Sequence, residues 1–314
     1  MRDFRSILNI IGLLLCIESI AMLIPMIFDL YYKNDDWVQF FYSSLITFFI
    51  GIILNISFRK KNIKLGIREA FVLTISSWII ISIFGSLPFI YSSSNLTYTD
   101  AFFESVSGIT TTGSTVISNL EDLSEGILIW RSLLQWFGGI GIIVLAMAIL
   151  PTLQIGGMQL LHMEHDDPYE KTIPKVNRFV LELFFLYVFL SVICAFLYFL
   201  NGMSGFDSVI HSMTTISTGG FSNYNQSFSY FNSFQIEIVS VIFMIIGSLP
   251  FVLYLQFLHR QKKLFFKDDQ IKLFFLIILV IVLISTVWLS INQSDNIFSS
   301  FRLALFNIIS ILTG

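Results

Sequence analysis

Three short stretches rich in threonine, serine and glycine are the residues of this chain best suited to chemistry. Their backbone carbonyls and hydroxyls could replace the hydration shell of a cation, as rings of carbonyls do in potassium channels. Glycine permits the dihedral angles that aim successive carbonyls to one side, and threonine adds a hydroxyl oxygen. The candidate cation-binding residues are Thr110, Thr111, Thr112, Gly113, Ser217, Thr218, Gly219, Gly220, Thr313 and Gly314.

One Thr-Thr-Thr-Gly stretch is a weak signal, but these three stretches belong to aligned copies of a longer pattern. The first and second copies align at an offset of 107 residues, and the second and third at 96. Internal repeats of this kind indicate a repeated structural unit. The aligned pairs are Asp100 with Asp207, Ser105 with Ser212, Ile109 with Ile216, Thr111 with Thr218, Gly113 with Gly220, Ala101 with Ala304, Phe103 with Phe306, Ser107 with Ser310 and Thr110 with Thr313.

Each turn follows about ten moderately apolar residues, a length too short to cross a bilayer. We therefore predict a re-entrant half-helix before each turn. Irregular backbone at membrane depth is tolerated only where protein buries it or water reaches it, so the turns should line an aqueous path. The negative end of each half-helix dipole would face the ion. Asp100 and Asp207 begin the half-helices, where we expect a capping role in preference to ion binding.

The elements that position these turns are membrane spans. Hydrophobic residues make up 55% of the 314 residues and charged residues only 12%, against about 25% charged in soluble domains. We predict an all-α integral membrane protein with about seven transmembrane helices. The predicted spans are 6–31, 37–58, 66–91, 127–151, 178–200, 234–258 and 271–291. They group into two extra N-terminal helices (1–60), a first pore unit (61–160), a second pore unit (161–265) and the start of a third (266–314).

Basic residues predict the orientation of the chain. If the N-terminus is cytoplasmic, 15 of the 18 Lys and Arg residues lie there or in the loops 59–68, 152–178 and 259–272. The positive-inside rule favours this arrangement. The outer segments are acidic, which either concentrates cations at a pore mouth or reflects easier translocation of acidic residues. Arg131 is predicted to pair with the outer acidic loop of Glu121, Asp122 and Glu125.

Two motifs carry a resemblance to a known family. FFESVSGITTTGST (102–115) and WRSLLQWFGGIGIIVLAMAILP (130–151), followed by GGMQL (156–160), resemble the first pore unit of the TrkH-type bacterial potassium transporters of the Trk/Ktr/HKT superfamily. Residues 211–221 resemble the second pore loop. The likeness covers the whole chain, and the two N-terminal helices are similar to the TrkH branch in preference to the Ktr branch.

The resemblance implies four M1–P–M2 units around one pore, with a key glycine in each filter, here Gly113 and Gly220. Relatives with serine at the first position tend to admit sodium, so Gly113 favours potassium. The transported ion is expected at Thr111, Thr112, Thr218 and Gly219. A multi-pass protein of the bacterial inner membrane is implied, homodimeric, bound to a cytosolic nucleotide-binding ring of the TrkA type. No cofactor, nucleic-acid partner or enzymatic activity is expected.

By the same alignment Gly314 corresponds to Thr111, two positions before the third filter glycine. We therefore expect a fragment that does not conduct by itself. The rival hypothesis is a proton- or sodium-coupled secondary transporter with broken helices. Such folds invert their repeats, whereas every re-entrant loop here is predicted on the outer side. An intramembrane hydrolase would need a Ser/His or metal pair, and the sequence shows none.

Several other residues invite a functional reading that we set aside. His162 and His165 lack the spacing of a zinc helix, and their loop is better suited to contact a regulatory partner. The small residues Gly138, Gly139 and Gly141 indicate close helix packing. Structural roles are expected for the remaining candidates, Cys16, Glu18, Glu182, Cys194 and His211.

Overall fold

A computed structural model of the chain describes residues 4–59, 67–153, 172–251, 253–254, 269–293 and 296–314. Throughout these residues the regular elements are helices and no strand occurs, as the all-α prediction requires. The α-helices are α1 (Phe4–Ala21), α2 (Leu23–Tyr32), α3 (Trp37–Ser57), α4 (Ile67–Gly85), α5 (Leu87–Tyr91), α6 (Tyr98–Ile109), α7 (Glu125–Leu153), α8 (Thr172–Leu200), α9 (Gly205–Ile216), α10 (Phe234–Ser248), α11 (Asp269–Gln293) and α12 (Ile297–Thr313). Two 3-10 turns lie at Leu120–Asp122 and Ser227–Phe231.

Five stretches of the described residues are long and apolar enough to cross a bilayer. They are Phe4–Tyr32, Trp37–Ser57, Arg68–Tyr91, Val180–Leu200 and Asp269–Asn292. These match five of the seven predicted spans. The predicted span 127–151 lies within α7, whose side chains are described only as far as Gly141. The seventh, 234–258, is represented by the shorter helix α10.

Prolines break three of the predicted spans. A proline ring clashes with the carbonyl four residues earlier, and the helix before Pro25 ends at Ala21 while the helix before Pro88 ends at Gly85. Leu249, which precedes Pro250, is extended with ψ of 145°, as expected of a residue before proline. The helix of the predicted span 234–258 is therefore interrupted at Ser248, where α10 ends.

The chain divides into two compact units. The first comprises Met1–Glu170 with Phe221–Ser227, and the second comprises Lys171–Gly220 with Phe228–Gly314. Each unit contains one complete short helix followed by a Thr/Gly turn. The predicted pore units were divided according to the sequence repeat, so their boundaries differ from those of the compact units. The predicted boundaries stay a prediction.

In the first unit, α1 and α3 cross at two glycines. A Cβ on Gly12 would lie 2.7 Å from the Gly51 carbonyl oxygen, and one on Gly51 would lie 2.9 Å from the Gly12 carbonyl oxygen. Small residues allow this backbone approach between helices in a membrane. Nearby, the Asn9 amide donates to the Asn55 carbonyl at 2.8 Å. The two N-terminal helices therefore form one tight pair.

The turn-forming helices pack inside each unit. In the first unit α6 lies against α4 and α7, and the Trp130 indole of α7 donates to the Gly85 carbonyl at 2.8 Å. In the second unit α9 lies between α8 and α10, and α12 packs on α10 and α11. The core around α12 consists of Val241, Met244, Ile278, Val282, Ala304 and Ile309.

Candidate functional site

The two short helices α6 and α9 are built alike at their starts. Each has 12 residues, a length of about 18 Å, well short of the roughly 30 Å hydrocarbon core. Thr97 and Ser204 cap them, each accepting a bond from the backbone N–H three residues later. The same hydroxyls donate to the carboxylates of Asp100 and Asp207, both at 2.7 Å. The two aspartates therefore stabilise the caps, and Thr97 and Ser204 are the capping residues themselves.

Both helices also end alike, in a Schellman motif. After α6, the Thr111 N–H bonds to the Gly108 carbonyl at 2.9 Å and the Thr112 N–H to the Ser107 carbonyl at 3.0 Å. After α9, the Thr218 N–H bonds to Thr215 at 3.1 Å and the Gly219 N–H to Thr214 at 2.9 Å. The two turns thus share one hydrogen-bonding scheme.

The residue that closes each Schellman motif is threonine. Thr111 has φ of 57° and Thr218 has φ of 54°, and the glycines two positions later, Gly113 and Gly220, have φ of 77° and 75°. Glycine is the usual residue at a left-handed C′ position, and a β-branched residue there is an outlier. Strain of about 1–3 kcal/mol at such a residue persists only when its surroundings enforce it, and it clusters at functional sites. The same strained conformation therefore occurs at two aligned positions.

The conformation directs the backbone N–H groups of each turn back into the helix. Within the described part of the chain, the carbonyl oxygens of residues 110–113 accept no hydrogen bond, whereas the N–H groups of all four are bonded. The Thr110 hydroxyl lies 2.7 Å from that of Thr112. The turn therefore presents oxygens free for a cation, next to the negative end of a helix. No cluster of three His, Cys, Asp or Glu suited to a metal occurs among the described residues.

Thr313 and Gly314 lie beside the second turn. Thr313 is the last residue of α12 and donates its hydroxyl to the Ile309 carbonyl at 2.7 Å. A Cβ on Gly314 would lie 3.0 Å from the Thr218 carbonyl oxygen. The second and third predicted filter stretches are thus brought together in the second unit. The assignment of the ion to Thr111, Thr112, Thr218 and Gly219 stays a prediction.

A buried ion pair supports the first turn from behind. Glu104 of α6 is fully buried and accepts a bond from Arg131 Nε at 2.7 Å. It also accepts bonds from the Thr115 hydroxyl at 3.0 Å and the Val116 N–H at 3.2 Å. The Glu104 carboxylate therefore binds the segment that follows the first turn.

The prediction that Arg131 pairs with the outer acidic loop is wrong. Its guanidinium lies over the Phe221 ring at 4.2 Å and donates through Nη1 to the Ser222 carbonyl at 2.9 Å. Gln135, one helical turn later, accepts a bond from the Phe221 N–H at 3.0 Å. Glu121 of the acidic loop instead accepts bonds from the backbone and side chain of Asn225. Thus α7 holds the segment that follows the second turn, a role that the sequence reading missed.

An aromatic cluster lies behind the second turn. His211, aligned with Glu104, is fully buried, with Nδ1 2.9 Å from the Asp207 carbonyl. It meets the rings of Phe228 and Phe231 edge to face, which confirms the expected packing role. The Tyr198 hydroxyl lies 2.8 Å from that of Thr215.

Other ionisable residues fall outside the turns. Arg302 of α12 forms a bidentate pair with Glu237 of α10, at 2.5 and 2.7 Å, which the sequence reading did not foresee. Glu18 is buried, and neither of its carboxylate oxygens has a hydrogen-bond partner among the described residues. Cys16 and Cys194 are free thiols. His162 and His165 lie outside the described residues.

Comparisons with known proteins identify similar cation and potassium transport proteins. Residues 37–310 match the family model "TrkH: Cation transport protein". The chain is 37% identical over 314 residues to the "Trk system potassium uptake protein TrkI" of Halomonas elongata, covering 100% of this chain and 64% of that protein. It is 39% identical over 316 residues to the "Trk system potassium uptake protein TrkH" of Escherichia coli K12, covering 99% and 65%.

A solved structure is similar over nearly the whole chain. The crystal structure of the potassium transporter TrkH from Vibrio parahaemolyticus superposes with a TM-score of 0.90 at 36% sequence identity. The match covers 99% of this chain and 64% of that one. The chain therefore spans a little under two thirds of the length of these relatives.

Proposed function

Because the chain belongs to the TrkH family of cation transport proteins, we propose that it carries part of a transmembrane pathway for potassium. In this proposal residues 110–113 and 217–220 supply oxygen ligands to the passing ion. The observation that carries it is the pair of aligned Schellman turns, each with threonine held at positive φ. A turn that needed only to end a helix would take glycine at that position at lower cost.

Potassium is favoured as the ion by three considerations. The relatives with 37–39% identity bear names of potassium uptake proteins. Gly113 stands at the first filter position, where glycine goes with potassium selectivity in the family. Carbonyl and hydroxyl oxygens suit a dehydrated monovalent cation, whereas divalent sites use carboxylates. The proposed role is transport, with no catalytic step and no cofactor.

The proposed setting is the bacterial inner membrane. Five apolar stretches among the described residues are long enough to cross a bilayer and suit a multi-pass protein, and the distribution of Lys and Arg favours a cytoplasmic N-terminus. The proposed partners are a second copy of the protein and a cytosolic nucleotide-binding ring. The segment 162–178, which is on the cytoplasmic side in this orientation, is the candidate contact for the ring.

Uptake by the complete gene product tests the proposal. It should restore growth at low potassium to a bacterial strain that lacks potassium uptake, and it should take up radioactive rubidium in proteoliposomes. Gly113→Val should abolish uptake, since a β-branched residue would have to adopt a φ of 77°. The matched control is Gly141→Val, at a position in α7 where a Cβ meets no atom within 4 Å.

Two outcomes would overturn the proposal. One is a wild-type protein that reaches the membrane and transports neither potassium nor rubidium. The other is undiminished uptake by Gly113→Val, which would place the ion path away from the first turn.

A further inference from the structure

The two Thr/Gly turns share a support that neither the repeat nor the filter residues account for. In each unit, a glycine of the helix that follows the turn touches the last carbonyl of the short helix. A Cβ on Gly138 of α7 would overlap the Ile109 carbonyl oxygen, and one on Gly247 of α10 would lie 2.7 Å from the Ile216 carbonyl oxygen. Cβ atoms do not approach an oxygen this closely without displacing backbone.

The same glycines also touch the strained threonines. A Cβ at either position would lie 3.2 Å from Cγ2 of the left-handed threonine, Thr111 in the first unit and Thr218 in the second. Each glycine thus faces both the last helical carbonyl and the residue that closes the Schellman motif. Because the helix surface is flush with the turn, neither group can move toward it.

The contact recurs although the connecting segments differ in length. Gly138 follows Ile109 by 29 residues and Gly247 follows Ile216 by 31. In the first connection Glu104 binds Thr115 and Val116, and the second contains the 3-10 turn Ser227–Phe231. Two connections of different length and structure that converge on one contact indicate that the contact is needed at the turn.

We infer that Gly138 and Gly247 are positioning residues for ion selection. Each glycine fixes the position of its turn relative to the following helix. The inference rests on the proposed function of the turns. Ligand oxygens must be held to within about half an ångström of their working positions. A methyl group at either glycine must push the terminal carbonyl, the threonine or the helix aside, and would shift the carbonyls of the turn with them.

The structure predicts a graded effect. Gly138→Ala must displace more than Gly247→Ala, since its Cβ comes closer to the carbonyl oxygen. A displacement of a reacting or coordinating group by about 1 Å can cost about 100-fold, so for a shift of a few tenths we expect the ratio of potassium to sodium uptake to fall about 10-fold in Gly138→Ala. The fall in Gly247→Ala should be about 3-fold on the same scale.

Matched controls exist in both units. Gly141→Ala lies one turn further along α7, and Gly205→Ala lies at the start of α9; a Cβ at either position meets no atom within 4 Å. All four variants would be made in the complete gene product and compared for membrane yield and for potassium and sodium uptake in proteoliposomes. The controls should keep the wild-type ratio, which separates positioning from any general effect of replacing a glycine.

The outcomes separate this inference from the proposed function. A wild type that transports neither cation would overturn the proposed function and this inference with it. If the wild type is potassium-selective and the ratio of potassium to sodium uptake is the same in Gly138→Ala as in Gly141→Ala, the inference alone is overturned. If Gly138→Ala does not accumulate in the membrane, Gly247→Ala against Gly205→Ala decides in the same way. Loss of both variants from the membrane would assign the glycines to folding and overturn it.

Discussion

The first and second turns reach one backbone conformation through different supports. Their φ angles agree within a few degrees at the threonine and at the glycine, and each helix is capped by a hydroxyl residue paired with an aspartate three positions later. Behind the first turn lies the ion pair of Glu104 and Arg131, and behind the second lies His211 among aromatic rings. What recurs is the path of the backbone, and what varies is the chemistry that enforces it.

Breaking the two supports should have unequal consequences, with the largest effect at Glu104. Glu104→Gln leaves the Arg131 charge buried without its counter-ion, and removal of one partner of a buried pair costs about 3–5 kcal/mol. His211→Gln removes the contact between the ring nitrogen and the Asp207 carbonyl and some aromatic packing, for which we expect about 1–2 kcal/mol. Thermal unfolding of the purified protein in detergent measures both.

Thr115→Ala is the control that separates the loss of one hydrogen bond to the Glu104 carboxylate from the loss of its charge. Thr115→Ala removes a single hydroxyl bond to the same carboxylate and should cost about 1 kcal/mol. If His211→Gln destabilises the protein as much as Glu104→Gln, the ion pair and the aromatic cluster are equivalent supports. The comparison of the two turns would then lose its physical basis.

The glycines that end the turns should respond alike. Gly113→Ser and Gly220→Ser both force a side chain into the left-handed region, at about 1–2 kcal/mol, and should shift the ligand oxygens. We expect the ratio of potassium to sodium uptake to fall about 10-fold in each, an equivalent of about 1.4 kcal/mol. Ion competition in rubidium uptake gives the ratio. An unchanged ratio in Gly113→Ser would argue against Gly113 as a filter residue.

The strained threonines separate stability from function. Thr111→Gly and Thr218→Gly relieve the β-branched residue at positive φ, which offsets the entropy lost by introducing glycine. Thermal stability should therefore change by less than about 1 kcal/mol, while the selectivity ratio falls by about 3-fold, roughly 0.7 kcal/mol. A large loss of stability in either variant would show that the threonine stabilises the turn instead of being held in it by the surroundings.

The sequence was sufficient to predict the turns because their information is local and repeated. Aligned Thr/Gly stretches after short apolar segments predict half-helices, and Asp100 and Asp207 mark their first turns. The helix breaks near Pro25 and Pro88 were not predicted, since the predicted spans 6–31 and 66–91 run through both prolines. The partner of Arg131 was not predicted either. Glu121, Asp122 and Glu125 are nearer in sequence, whereas Glu104 meets Arg131 only after α6 has packed on α7.

The contacts of Gly138 and Gly247 with the turns also form only after the helices have packed, so the sequence does not predict them. Gly138 was recognised as a packing residue, and the structure confirms its close contact, whereas Gly141 in the same motif meets no atom within 4 Å of its Cβ position. Helical spacing alone does not distinguish them. Gly247 lies outside any motif, and only the second copy of the contact with a terminal carbonyl shows what the two glycines have in common.

The smallest expected effect concerns the helix caps, and it too distinguishes the two turns. Asp100→Asn and Asp207→Asn keep an oxygen for the capping hydroxyl but remove the charge that interacts with the positive end of the helix dipole. This loss is about 0.3–1 kcal/mol at a surface site. Asp207 is buried and Asp100 is half-buried, so Asp207→Asn should cost more, because screening by solvent is weaker there. Thermal unfolding and membrane yield measure the difference, and both variants should keep the wild-type selectivity ratio because the caps lie at the far end of the helices from the turns. Altered selectivity in Asp100→Asn with unchanged stability would mean that its carboxylate acts on the ion and not on the cap.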